Sequence, residues 1–138
     1  MSSMGLFSRK RRRTEPYGLW SDDAQQWETF LARGADAGAE RNLEVSLSFA
    51  NEEGARAAAK ELGQLREPGE LVPPSHGVEE WGILLYRRDA VMVPDVLREA
   101  IDVGERIAEA HGGECEGWTA FYTAEEKAAW GVELLDGL

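Results

Sequence analysis

The chain is poor in the residues that build covalent or metal-held frameworks. Its 138 residues include one cysteine, Cys115, and two histidines, His76 and His111. A lone cysteine excludes an intrachain disulfide framework and a cysteine-built zinc site. It fits a reducing compartment. No apolar run approaches the roughly 20 residues that cross a bilayer, and no glycine-rich phosphate cradle of P-loop or Rossmann spacing is present. Residues 1–13 do not read as a secretory signal, because the basic cluster follows the short apolar stretch and no apolar run comes after it. Nor does Met4-Gly5-Leu6-Phe7-Ser8 make a myristoylation site, since Arg9 stands where Ser or Thr is wanted.

Positive charge is scarce outside one place. The net charge is −11, from 15 Lys plus Arg against 26 Asp plus Glu. Five of those cations are the consecutive Arg9, Lys10, Arg11, Arg12 and Arg13, so residues 14–138 stand at −16. Such a body repels phosphate backbones and suits a basic partner. The basic run reads either as a solvated tail or as a tether to anionic lipid or RNA. The expected organisation is a basic flexible tail over 1–15 and a single domain over 16–138, with its core at 43–122.

Hydrophobic spacing gives the elements. Trp27, Phe30 and Leu31 recur at helical spacing over 21–33, with Ser21 or Asp22 as the cap. Leu43, Val45, Leu47 and Phe49 alternate with polar residues, as in a half-buried strand. Asn51 caps a helix with an Ala55, Ala58, Ala59 and Leu62 stripe, which Gly63 stops. Leu71 and Val72 form a short strand confined by flanking prolines to a sheet edge. Trp81 to Tyr86 is a third strand. Pro94 opens a second helix with Val96, Leu97, Ala100, Ile101, Ile107 and Ala108 inward, and Gly112-Gly113 ends it. Residues 115–122 are a fourth strand. Thr123 and Glu126 form a capping box before a last helix through Trp130, Leu134 and Leu135.

From residue 43 the order is strand, helix, strand, strand, helix, strand. This predicts an α+β fold, a ferredoxin-like βαββαβ unit with a four-stranded antiparallel sheet and two helices on one face. The flanking pieces, 16–33 and 124–138, are expected as terminal helices able to cover the other face.

Gly112-Gly113-Glu114-Cys115-Glu116-Gly117-Trp118 resembles the Gly-Gly-x-Tyr-Asp-Gly-Trp signature of the RraB family, the ribonuclease E inhibitors. Phe49 closing the first strand, acids opening an Ala-rich helix and Trp81 opening the third strand agree with it, so the resemblance spans about 43–122. Cys115 stands where the family usually has Tyr, and Glu116 where it has Asp. The resemblance implies a non-catalytic, cytoplasmic regulator that binds endoribonuclease E and alters messenger RNA decay. It implies no cofactor.

Candidate partner-binding residues are Trp118, Tyr122, Glu116 and Trp81, with Gly112, Gly113 and Gly117 as the structural motif. Gly117 lacks a side chain, which lets a neighbouring backbone or ring pack close. Strand alternation puts Trp118 and Tyr122 on one face, and Gly117, Thr119 and Phe121 on the other. If Phe121 faces the helices, Trp118 lies on the open face as a partner anchor; otherwise it packs under the terminal helices. Base stacking on the sheet is disfavoured, since Glu44, Ser46 and Ser48 on the first strand stack nothing and Glu44 repels phosphate. His111 and Cys115 are four residues apart with a helix stop between them, so no catalytic pair and no metal site is assigned. The Glu79-Glu80 and Glu125-Glu126 pairs read as solvated or capping acids. The expected partner is therefore a protein, with ribonuclease E implied by the resemblance, and no nucleic acid on the folded domain. The alternative is a small-molecule-binding or sensory module, dimeric through its sheet.

Overall fold

A computed structural model describes residues 18–130. The tail expected over 1–15 and the Leu134 and Leu135 end of the last helix lie outside the described residues. The elements are α1 (Ser21–Ala32), β1 (Glu40–Phe49), α2 (Glu52–Gln64), β2 (Gly69–Val72), β3 (Trp81–Val91), α3 (Pro94–Ala110), β4 (Gly113–Ala120) and α4 (Ala124–Trp130). The four strands form one antiparallel open sheet in the order β2-β3-β1-β4. The fold is α+β.

Local chemistry explains most boundaries. Asn51 caps α2 by accepting the Gly54 amide at 2.9 Å, satisfying a donor that the helix cannot. Pro94 opens α3, where its missing N–H costs nothing. The capping box forms in both directions: Glu126 N–H donates to Thr123 Oγ1 at 3.1 Å, and Thr123 N–H to Glu126 Oε1 at 3.0 Å.

Four local expectations need correction. β4 spans Gly113–Ala120 rather than 115–122, because its pairing with β1 runs from Gly113 opposite Phe49 to Ala120 opposite Leu43. Neither Ser21 nor Asp22 caps α1; the N-cap is Trp20, with no side-chain cap bond. Asp22 instead accepts from the adjacent Asp23 amide. The Trp20 indole donates to Glu105 on α3 at 2.9 Å, so a tertiary contact anchors the residue at which α1 begins. Gly63 does not stop α2, which runs one residue further. β3 extends past Tyr86 to Val91, because the bulge at Arg88 and Asp89 lets pairing resume at Ala90. Asp89 takes φ +52° there, and its amide is held by Asn42 Oδ1.

β1 sorts the two faces. Leu43, Val45, Leu47 and Phe49 are buried, while Glu44, Ser46 and Ser48 between them are only half-buried. α3 lies so close to the buried face that a Cβ on Gly104 would sit 2.9 Å from Val45 Cγ1. α1 lies on the same side. Its Phe30 meets the ring of Trp118 edge-on at 6.4 Å, and Trp118 is the register partner of Val45. α4 joins them through Glu126, which grips Arg41 on the Leu43 side of β1. The flanking helices therefore do not cover the other face, as the sequence reading allowed. All four described helices share one side of the sheet, because Trp118 and Arg41 extend its buried face beyond the footprint of α2 and α3.

Candidate protein-binding surface

The glycine motif is a turn and a bulge. Gly112 takes φ +76° just past His111, the C-cap of α3, a left-handed position suited to glycine. Gly113 has no room for a side chain: a Cβ would lie 2.4 Å from Ser48 O and 2.5 Å from the Phe49 ring. Gly117 adopts φ +127°, and nothing lies within 4 Å of its missing Cβ. Its role is thus backbone conformation, not the close packing expected from sequence. The register shifts at this point, with Ser46 opposite Gly117 and Leu47 opposite Cys115, so Glu116 is the inserted residue. Such a bulge restores inward facing after one extra residue. Cys115 and Trp118 consequently both face the helices, although three positions apart.

The candidate residues separate into two groups. Trp118, Tyr122 and Trp81 belong to the helix side. Trp118 is 5% exposed. Phe30 stacks on Tyr122 with centroids 4.8 Å apart, and Tyr122 meets Trp130 edge-on at 4.6 Å. The conditional reading with Phe121 under the helices is reversed: Phe121 is 44% exposed and alternates with the buried side. Trp81 pairs with Phe49 and carries the Arg56 guanidinium 5.3 Å from its ring centroid. Glu116 alone of the four lies on the opposite face, where its carboxylate accepts the Ser48 hydroxyl at 2.5 Å.

That opposite face bears no described helix. Glu44 is the register partner of Tyr86 and Thr119, and Glu114 of Ser48. Glu70 on β2 pairs with Leu84 and accepts the Tyr86 hydroxyl. This bond, together with nearby carboxylate charge, holds the Tyr86 phenol above its ordinary pKa. Arg88 lies 4.6 Å over the Tyr86 ring. Among the described residues no cation pairs with Glu44, Glu70, Glu114 or Glu116.

Sequence spacing missed the buried ion pair. Arg41 and Glu126 form a bidentate bridge with both N–O distances at 2.7 Å. Glu126 also accepts the Asp36 and Thr123 amides, while Arg41 donates to the Asp36 and Phe121 carbonyls. The Arg41 bonds lower the Glu126 carboxyl from 4.5 to about 2, against the opposing effect of burial. The capping box flagged Glu126, but the partner 85 positions away left no local signal.

His111 is drawn to Glu61, 2.7 Å from its Nε2, and Cys115 is half-buried opposite Leu47. A groove of about 160 Å³ separates α1 from the β4 edge, lined by Gln26, Phe30, Arg33, Trp118 and Tyr122 among others. The Trp118 indole N–H is buried with no acceptor. Among the described residues no cluster of three or more metal-ligating side chains occurs, and no helix is long and apolar enough to cross a membrane.

The model of the family described as regulator of ribonuclease activity B, RraB, matches residues 20–119. The chain belongs to the RraB family. The matched span starts at Trp20 and runs through the glycine motif to Thr119, so it takes in α1 and all but the last residue of the sheet. It stops before α4 and Glu126. No curated protein matches the chain. Membership in the RraB family implies regulation of ribonuclease activity.

Proposed function

We propose that this protein is a non-catalytic regulator that acts by binding a protein, with endoribonuclease E as the partner and RNA decay as the process controlled. The observation that carries this reading is the RraB match over residues 20–119. Charge supports it: residues 14–138 stand at −16, which attracts a basic protein over distance and repels RNA itself. We read the β1-to-β4 unit as ferredoxin-like. Two strand-helix-strand halves and the order β2-β3-β1-β4 support that reading. We read the site of action as the cytoplasm, where messenger RNA is degraded.

Calorimetric titration against ribonuclease E from the same organism tests the reading. Saturable binding that weakens as salt rises is expected. No heat at low or moderate salt, with both proteins folded, removes the proposed partner.

The groove beside Trp118 favours a second reading, a small-molecule module. Its volume of about 160 Å³ is below the roughly 300–1,000 Å³ of ordinary ligand pockets, so it would admit little more than one ring. A thermal-shift screen with single-ring compounds that moves no melting temperature discards it.

A further inference from the structure

We propose that the sheet face that bears no described helix docks an arginine- and lysine-rich segment of the protein partner; this deepens the protein-binding reading above and rests on it. On the helix side several acids already have an arginine of this chain beside them. There Glu52 pairs with Arg56, Glu67 with Arg87, Asp95 with Arg98 and Glu126 with Arg41. On the sheet face, Glu44, Glu70, Glu114 and Glu116 have no described cation, and they span β2, β1 and β4.

The face already holds one guanidinium of its own, Arg88, whose contacts show how it would hold another. Arg88 lies over the Tyr86 ring at 4.6 Å, and the phenol at the far end of that ring is bonded to Glu70. Ring face and carboxylate together suit a guanidinium. Half-buried Leu84 and exposed Phe121 add apolar surface for the stems of long cationic side chains. A second copy of this chain is the wrong occupant, since two such faces would set carboxylate against carboxylate.

The test uses the full chain, a labelled hepta-arginine peptide and ribonuclease E. One triple variant, Glu44→Gln, Glu114→Gln and Glu116→Gln, neutralises the face. A second, Glu53→Gln, Glu109→Gln and Glu125→Gln, makes the same change in net charge on helix-side surfaces. Circular dichroism melting establishes that both fold. At low salt the face variant should bind peptide and nuclease about tenfold more weakly, and the helix-side variant within about twofold of wild type. Equal weakening by both variants makes overall charge the cause and overturns the proposal. Nuclease binding that the face variant leaves intact also overturns it, while the protein-binding reading survives. Peptide binding that depends on the face, without any nuclease binding, supports the face and sinks that reading. If the peptide binds only after Arg9, Lys10, Arg11, Arg12 and Arg13 are replaced by Ser, the chain's own segment is the occupant and the proposal falls. Sedimentation showing a dimer that the face variant abolishes would also defeat it.

Discussion

Replacing Glu126 by Gln should cost about 3 kcal/mol of stability at neutral pH. Glu126 is 8% exposed, Arg41 is 1% exposed at its side chain, and the carboxylate receives both guanidinium arms and two backbone amides. Its carboxyl falls from 4.5 to about 2 in the fold. At 1.36 kcal/mol per unit that shift corresponds to about 3 kcal/mol, in line with the roughly 3–5 kcal/mol lost when one partner of a buried pair is removed. The sign of the pH dependence follows. As pH falls, the unfolded chain takes up this proton first, near 4.5, while the folded chain resists until about 2. The stabilisation is complete above that upper value and disappears as pH approaches the lower one. The gap between wild type and Glu126→Gln should therefore close through that window, since a protonated Glu126 resembles Gln. Urea unfolding followed by tryptophan fluorescence, from neutral pH downward, measures the gap. A gap under about 1 kcal/mol at neutral pH, or one that does not change with acid, would refute the reasoning. Replacing both partners, Arg41→Met with Glu126→Leu, should recover much of the loss, because no charge is then left buried alone.

Trp118→Ala should cost about 3–5 kcal/mol, read as a lower urea midpoint; an unchanged midpoint would deny its place in the core. Trp118→Phe should cost far less, because losing part of the ring is offset by removing a buried N–H without an acceptor, worth about 1–3 kcal/mol. Gly117→Ala should cost about 1–3 kcal/mol through backbone strain alone. Gly113→Ala should cost more, because its Cβ would meet Ser48 O at 2.4 Å. Thermal melting of the two variants checks that order, and the reverse order would contradict the account of the motif.

Much of the fold was legible because it is written locally. β1 alternates cleanly, Asn51 and the Thr123–Glu126 box cap their helices through near neighbours, and proline confines β2 to an edge. What stayed hidden depended on long-range contacts or on one extra residue. The side taken by α1 follows from Phe30 meeting Trp118, 88 positions later. Residue alternation alone could not decide which face of β4 the helices cover, and Gly117 concealed the bulge that puts Cys115 and Trp118 on one side. Trp20 replaced Ser21 and Asp22 at the helix start because Glu105 holds its indole. At the candidate surface, Glu116 was legible from its place in the motif. Glu44, Glu70 and Glu114 became a group only when the register aligned three strands.

The most direct test of the regulatory account is the rate at which ribonuclease E cleaves a labelled RNA as this protein is added. The account predicts a rate that changes saturably near molar equivalence, an effect that rising salt weakens, and no RNA cleavage by this protein alone. An unchanged rate at low and moderate salt, with both proteins folded, would contradict it.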